Sequence, residues 1–332
     1  MGGIVSMSYK ISVIVPIYNV EKYIKRCAVS LFEQNFDSIE YIFIDDCSQD
    51  NSINNLKNVI ELYPNRKNDI KIFYNLHNQG VNKTRNVGFN NASGKYCICI
   101  DSDDWCELDM LSSLYSEAII NDSDLVISDM FIEYAHRRFY EKNICKNFND
   151  KTEVLKSMLN RDIILSLSSK LVRTDIYRTC VVPDFGFGED NFYSIQIAIK
   201  SNKISYLNRA FVHYDQTTPT STGDKNKRFA NILKFYQATN LLLKQNNIAD
   251  DVYGYYYAGI LHQILIFSRG DINPFIRENF KEALNIKYVF LYFKSSILFK
   301  MVYILPFIRL GRVFGWILDI TRFLRGINDN RK

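Results

Sequence analysis

Short apolar runs alternate with amphipathic segments through the first hundred residues, and this regularity constrains the fold more than any other feature of the sequence. Four runs have the length and composition of β-strands: Lys10–Pro16, Tyr41–Ile44, Ile70–Tyr74 and Tyr96–Ile100. The segments between them have apolar residues at helical spacing, as in Glu21–Gln34. Repeated alternation of strand and helix predicts an α/β fold with a mostly parallel, doubly wound sheet.

Polar motifs follow three of these strands at the point where each strand ends. They are Pro16-Ile17-Tyr18, Asp45-Asp46 and the acidic run Asp101-Ser102-Asp103-Asp104. Because ligands of doubly wound sheets bind outside the carboxyl ends of the strands, we expect these motifs to converge on one edge. Three motifs at one edge indicate a ligand site there.

The acidic run predicts a metal site, because three carboxylates at the end of a buried strand are costly without a positive partner. Mg²⁺ and Mn²⁺ prefer oxygen ligands and often connect protein carboxylates to substrate phosphates. The alternative is an acidic turn that caps a helix beginning near Glu107. Since neither a Gly-x-Gly-x-x-Gly turn after the first strand nor a Walker lysine loop is present, a Rossmann dehydrogenase and a P-loop kinase both lose support.

Five segments, in their order and spacing, give the chain a specific resemblance to glycosyltransferase family 2, the inverting enzymes of the GT-A fold. They are ISVIVPIYNVEKYIKRC, IFIDDCSQDNS, NQGVNKTRNVGFNNASGKY, CIDSDDW and FGEDNFY, within roughly residues 10–195. Three positions depart from the usual pattern: Cys47 stands where the family often has Gly, Gln49 where it often has Thr, and Thr84 where Ala is common. None of these departures removes a charged group.

The resemblance implies a role for each matching position. Asp190, with Glu189 as second choice, would be the catalytic base that takes the proton of the acceptor hydroxyl. Mn²⁺ or Mg²⁺ would be bound by Asp103, with Asp101 and His213 as further ligands. The nucleotide would be held by Pro16, Tyr18, Asp45, Asp46, Arg85 and Asp101, with Asp46 accepting the uracil N–H.

Each of these positions also has a purely structural alternative. Asp45 and Asp46 could cap a helix, and Glu189-Asp190 could simply begin one. Arg85 could form a surface salt bridge. His213, among Tyr206, Phe211 and Tyr214, could be a structural histidine.

The basic character of the chain belongs to its C-terminal end. Residues 286–332 contain nine Lys or Arg and two Asp, although the whole chain has a net charge of only +5. Basic, aromatic-rich amphipathic helices lie at membrane surfaces, so we expect this tail to contact the anionic inner membrane. A helix packed on the catalytic domain, with a solvated basic face, is the alternative.

We therefore expect a GT-A catalytic domain over residues 8–215 and a helical C-terminal region over 216–332. No secretion signal is visible and the seven cysteines lack framework spacing, which predicts a cytoplasmic protein, peripheral on the inner membrane. The predicted reaction moves a sugar from a UDP-sugar to a lipid-linked saccharide acceptor in bacterial surface polysaccharide synthesis. A nucleotidyltransferase and a non-catalytic membrane-binding protein are the alternatives, and no nucleic-acid partner is expected.

Overall fold

The computed structural model describes residues 9–217, 225–292 and 297–324. The chain divides into two compact units, one formed by Met1–Val154 and Ile164–Pro219, the other by Leu155–Ile163 and Thr220–Lys332. The first unit is built around a β-sheet and the second is helical.

The sheet of the first unit has nine strands among the described residues. They are β1 (Ile11–Ile17), β2 (Ile39–Asp45), β3 (Ile70–Tyr74), β4 (Tyr96–Cys99), β5 (Trp105–Cys106), β6 (Leu125–Tyr134), β7 (Arg137–Glu141), β8 (Lys170–Arg173) and β9 (Ile204–Asp215). Their order is β3-β2-β1-β4-β8-β6-β9-β5, with β7 paired to β6. The four strands predicted in the first hundred residues are all present.

The parallel half of the sheet aligns the predicted motifs at one edge. In the register of β1 and β2, Ile17 lies opposite Asp45, and Asp45 in turn lies opposite Tyr74 on β3. The N–H of Ile100 donates to Ile14 of β1, so the acidic run begins at the same edge. The expected convergence of the loops after β1, β2 and β4 is therefore present.

Antiparallel pairs enter in the second half of the sheet, which the early alternation did not reveal. Strand β8 runs antiparallel to both β4 and β6, and β5 runs antiparallel to β9. Strand β9 was not predicted, although it is the longest strand described. The polar segment Phe139–Asp150 begins inside β7 and continues as a connection from Lys142 to the start of α5.

Thirteen helices are described along the chain. They are α1 (Ile24–Phe32), α2 (Ser52–Glu61), α3 (Val81–Asn91), α4 (Met110–Ile120), α5 (Lys151–Leu159), α6 (Thr174–Thr179), α7 (Glu189–Lys200), α8 (Lys225–Gln245), α9 (Asp250–Ser268), α10 (Pro274–Asn279), α11 (Lys287–Tyr292), α12 (Ile297–Ile304) and α13 (Gly311–Leu324). Short 3₁₀ helices cover Pro64–Asp69, Leu167–Ser169 and Leu305–Ile308.

Helix α3 packs directly on the sheet because of a glycine. A Cβ atom added at Gly88 would lie 2.3 Å from Cγ2 of Ile14 and 2.9 Å from Cδ1 of Ile44. These distances are far below van der Waals contact, so only glycine lets α3 lie this close to β1 and β2. The close approach positions the whole of α3 relative to the sheet.

The second unit has a core of its own. Buried side chains from α9, α11, α12 and α13 form one apolar cluster, which includes Leu265, Val289, Tyr303 and Phe314. Within this unit, Lys156 pairs with Asp251 at 2.6 Å. None of the described helices is long and apolar enough to cross a membrane. Of the predicted basic tail, residues 293–296 and 325–332 lie outside the described residues.

Candidate active site

Arg85 of α3 is the centre of the site. Its guanidinium is buried, and Nη1 donates to Oδ1 of Asp190 at 2.5 Å while Nη2 donates to Oδ1 of Asp101 at 2.8 Å. The structure thus brings together three residues that the sequence had assigned to the nucleotide and the base. The salt-bridge alternative for Arg85 is therefore correct in its chemistry but wrong in its location, because only 4% of the side chain is exposed. Contact between Arg85 and a nucleotide stays a prediction.

Asp190 lies in the first turn of α7, after Gly188, whose φ of +83° reverses the chain before the helix. Burial raises the pKa of Asp190 above its usual range, with Asp101 adding to the rise and Arg85 opposing it. A carboxylate with a raised pKa is a better proton acceptor than an exposed aspartate.

Glu189 shares this environment. Burial, followed by the charge of Asp190, raises the pKa of Glu189 to about 7. Because the charge of Asp190 contributes to this rise, the protonation of Glu189 is linked to the ionisation of its neighbour.

Lys170, at the start of β8, is a charged neighbour of the site that the sequence analysis missed. The side chain is fully buried, and Nζ donates to the carbonyl oxygens of Ile164 at 2.6 Å and Ser166 at 2.7 Å. Burial lowers the pKa of Lys170 to about 7, while the charge of Asp190 acts in the opposite direction. A lysine at a strand end is usually solvated, so no sequence signal marked this one as buried.

The acidic run separates into two environments. Asp101 and Asp103 are partly exposed, whereas Asp104 is fully buried and accepts the backbone N–H of Asp215 at 3.0 Å. Burial, followed by repulsion from Asp101 and Asp103, raises the pKa of Asp104 well above its usual range. The third carboxylate of the run is therefore part of the framework that holds the loop.

Arg26 of α1 fixes the same loop from the other side. Its Nη2 donates to the backbone oxygen of Asp103 at 2.8 Å and to Oδ2 of Asp215 at 2.6 Å. The guanidinium also stacks 3.7 Å above the ring of Trp105. These contacts hold the backbone around Asp103.

The donor chemistry of this loop fits a divalent cation. Asp101 and Asp103 offer carboxylate oxygens, and their negative charges add to the burial that raises the pKa of Asp104. Within the described part of the chain, no group of three or more His, Cys, Asp or Glu side chains is arranged to hold a metal ion. Two carboxylates with further ligands from a substrate are a common arrangement for Mg²⁺.

His213 of β9 is held by the protein at both ring nitrogens. Nδ1 lies 2.7 Å from Oε1 of Glu133 and Nε2 lies 2.9 Å from Oε1 of Glu107. Its ring is stacked between Trp105 and Phe131, with centroid distances of 4.8 and 4.7 Å. This arrangement matches the structural alternative for His213, and metal ligation by His213 stays a prediction.

Asp46 organises the loop that leads into α3. Its carboxylate accepts the side-chain amide of Asn75 at 2.7 Å and the backbone N–H groups of Gln79 and Gly80, both at 2.9 Å. Asp45 accepts the N–H of Ser48 at 3.0 Å. Both residues therefore hold loops at the sheet edge, and their binding of a uracil ring stays a prediction.

Pro16 and Tyr18 lie where β1 ends. Pro16 pairs with Ile44 inside the sheet, whereas Tyr18 is 47% exposed. Tyr18 is followed by Asn19, whose Oδ1 accepts the N–H of Gln49 at 2.8 Å. The loops after β1 and β2 are thereby joined beside the exposed ring.

Two of the departures from the family pattern have a structural explanation. Cys47 has a φ of +64°, a conformation that suits glycine and costs another residue about 1–2 kcal/mol. Thr84 of α3 uses its hydroxyl to donate to the Gly80 carbonyl and to accept the Asn75 amide, both at 3.1 Å. An alanine could make neither bond.

Residues 12–180 match the sequence pattern described as Glycosyl transferase family 2. Since this match covers just over half of the chain, the protein belongs to glycosyl transferase family 2. The predicted family is confirmed, and so is the predicted class of enzyme, a glycosyltransferase. Both alternatives from the sequence, the nucleotidyltransferase and the non-catalytic membrane-binding protein, are wrong.

An individual relative agrees with this assignment. Glycosyltransferase GlyA of Streptococcus pneumoniae is 30% identical over 221 residues, which are 62% of this chain and 30% of GlyA. The chain thus matches less than a third of the length of that relative.

Solved structures confirm the predicted fold class. Residues 1–349 of TarS from S. aureus, in complex with UDP-GlcNAc, match with a TM-score of 0.65 at 21% identity, covering 96% of this chain and 92% of that one. Mannosyltransferase PcManGT from Pyrobaculum calidifontis, in complex with GDP-Man and Mn²⁺, matches with a TM-score of 0.55 at 14% identity, covering 97% and 88%. The chain has the GT-A fold with additional C-terminal helices.

Proposed function

We propose that this glycosyltransferase moves a sugar from a UDP-sugar to a hydroxyl group of a saccharide acceptor, with inversion at the anomeric carbon. The observation that carries the proposal is Arg85, which bonds Asp101 of the acidic loop and Asp190 of the α7 N-terminus with one guanidinium. This contact supports the proposal, because the carboxylate of Asp190 then lies beside the loop proposed to face the diphosphate.

The reaction follows from this arrangement. The acceptor hydroxyl gives its proton to the Asp190 carboxylate as its oxygen bonds to C1 of the donor sugar. The bond between C1 and the diphosphate oxygen breaks on the opposite side, and UDP leaves with that electron pair. Arg85 keeps Asp190 oriented and ionised, so that the carboxylate is ready to accept the proton.

Donor binding is assigned to the sheet edge. Asp45 and Asp46 with the Pro16 loop would hold the nucleoside, and the exposed ring of Tyr18 would stack on it. The relative TarS was solved with UDP-GlcNAc, which supports a UDP-sugar as the donor.

Asp103, with Asp101, would hold Mn²⁺ or Mg²⁺. When bound, the ion would neutralise charge on the departing diphosphate as a Lewis acid. The carboxylate donors of the loop support this assignment, as does the Mn²⁺ present with PcManGT.

The acceptor is proposed to be a lipid-linked oligosaccharide at the cytoplasmic face of the inner membrane, in the synthesis of a bacterial surface polysaccharide. The basic composition of residues 286–332 supports this part of the proposal, since such segments bind anionic lipid surfaces. The GT-A domain would then cover residues 8–215 and the membrane-facing region residues 216–332.

The test is a panel of UDP-sugars, each with Mn²⁺, with Mg²⁺ and with chelator, scored by UDP release. Asp190→Asn should retain donor binding, measured by calorimetry, and lose roughly 10²–10⁴-fold in transfer rate. Asp103→Asn should lose the metal-dependent part of donor binding. Asp175→Asn, at another helix N-terminus of the same unit, is the matched control and should behave as the wild type. Normal transfer by Asp190→Asn would refute the proposed base.

A further inference from the structure

A cleft in the second unit is lined by four arginines. It has a volume of about 570 Å³, and its lining includes Arg269, Arg277, Arg309 and Arg312. Asp271 is the carboxylate among the described lining residues. A cleft this size is large enough for a phosphate group with part of the molecule that carries it.

The arginines come from three parts of the chain: the end of α9, helix α10 and the segment around the start of α13. Two glycines bring the first and the third of these parts together. A Cβ atom at Gly311 would lie 2.2 Å from the carbonyl oxygen of Gly270, so the start of α13 touches the turn after α9 backbone to backbone. Arg269 ends α9 and Arg309 precedes α13, with φ values of +55° and +65°. The left-handed conformation is unfavourable for a residue with a side chain, so the surrounding fold holds both arginines in place.

Among the residues that the structure describes, most of this positive charge has no carboxylate partner. Arg269 pairs with Asp319. For Arg277, Arg309 and Arg312, no ion pair is present among the residues the structure describes. Guanidinium groups that face one opening repel each other, and a phosphate removes that repulsion while accepting bidentate hydrogen bonds.

Apolar side chains next to two of these arginines are solvent-exposed. Ile308 and Leu310 flank Arg309, and Val313 follows Arg312, with exposed fractions of 58%, 44% and 42%. Exposed apolar groups beside arginines are typical of surfaces that contact lipid headgroups and the upper acyl chains.

We propose that this cleft binds a phosphate group, carried either by a lipid headgroup or by a soluble phosphate ester. The proposal is independent of the transfer reaction, because none of its residues belongs to the site on the sheet edge. Its chemistry is that of a dianion held by guanidinium groups.

The experiment uses the full chain in chelator-containing buffer, so that no metal contributes to binding. Co-sedimentation with phosphatidylcholine vesicles, with and without phosphatidic acid, tests the lipid source. Calorimetry with glycerol 3-phosphate tests the soluble source. The double variant Arg309→Gln/Arg312→Gln is compared with Lys244→Gln/Lys281→Gln, which removes two exposed charges from the same unit outside the cleft.

The wild type should bind phosphatidic acid vesicles, glycerol 3-phosphate or both, and the probe that binds identifies the source. The arginine double variant should bind at least about tenfold more weakly, and the lysine double variant within about twofold of the wild type. Equal weakening by both double variants would mean that diffuse surface charge binds the probe, and would overturn the proposal. A wild type that binds neither probe would also overturn it. If the glutamine variant fails to fold, Arg309→Lys/Arg312→Lys is used instead, because it keeps the charge. It should also weaken binding, because lysine cannot bind bidentately.

Discussion

Arg85 bonds Asp190 at 2.5 Å, across 105 positions of sequence. The same guanidinium bonds Asp101, so one cation separates two carboxylates that would otherwise repel each other. The protonation of the proposed base therefore depends on a residue of another helix.

Replacing Arg85 with Met should change the pH dependence of transfer. Without the guanidinium, the pKa of Asp190 rises further, because the charge of Arg85 is the largest of the effects that oppose burial. A base with a higher pKa is protonated, and so inactive, up to a higher pH. The acidic limb of the rate profile should shift to higher pH and the maximal rate should fall roughly 10²-fold or more. An unmoved acidic limb would show that Arg85 does not set the ionisation of the base.

Glu189 should make the protein less stable as the pH rises. The folded-state pKa of about 7 lies above the ordinary value of 4.5, so the folded state binds more protons between these values. Stability therefore falls as pH rises through this window and stays low above pH 7. Glu189→Gln should remove this loss, narrowing the difference in unfolding free energy between pH 5 and pH 8. Denaturant titrations at the two pH values measure this difference. Glu278→Gln, which replaces an exposed glutamate, is the control and should leave the difference unchanged.

Lys170→Met should reduce both stability and catalysis. The carbonyl oxygens of Ile164 and Ser166 would lose their buried donor, which costs about 1–3 kcal/mol in unfolding free energy. Loss of the positive charge near Asp190 should also move the acidic limb of the rate profile to higher pH. A purely structural role would lower the stability and leave the limb in place. Lys203→Met, which replaces an exposed lysine directly before β9, is the matched control.

His213 and Asp103 should differ in their effect on metal activation. Both nitrogens of His213 are engaged by Glu107 and Glu133, so His213→Gln should change the Mn²⁺ concentration for half-maximal activity less than about threefold. Asp103→Asn should raise that concentration at least tenfold, within the range of about 10–100-fold seen when metal-site groups are lost. An equal rise in both variants would place His213 among the ligands.

The parallel half of the sheet was predictable from sequence because its strands are buried on both faces. Such strands are near-continuous apolar runs, as in β1 and β2. Strand β9 was missed because its middle residues, including Asn208 and Arg209, are exposed and break the pattern. Its pairing with β6 is also irregular, with register shifts around Asp129.

The candidate site was predictable only as a set of residue types. Asp101, Asp190 and Arg85 were found through their motifs, but their connection by one guanidinium depends on how α3 and α7 meet. The burial of Lys170 near the site could not be predicted, since it results from strand pairing across distant parts of the chain. The distinct environment of Asp104 likewise depends on Asp215, 111 residues away.

Side chains of helix α3 form hydrogen bonds to three different loops. Arg85 reaches the acidic loop, Thr84 bonds the loop after β3, and Asn82 donates to the carbonyl oxygens of Pro183 and Phe185 ahead of the proposed base. All three connections depend on the close packing of α3 against the sheet at Gly88. The alignment of the proposed reacting groups therefore depends on a buried position between the helix and the sheet, where a single added methyl group would push α3 away from Ile14 and Ile44 and displace all three loops.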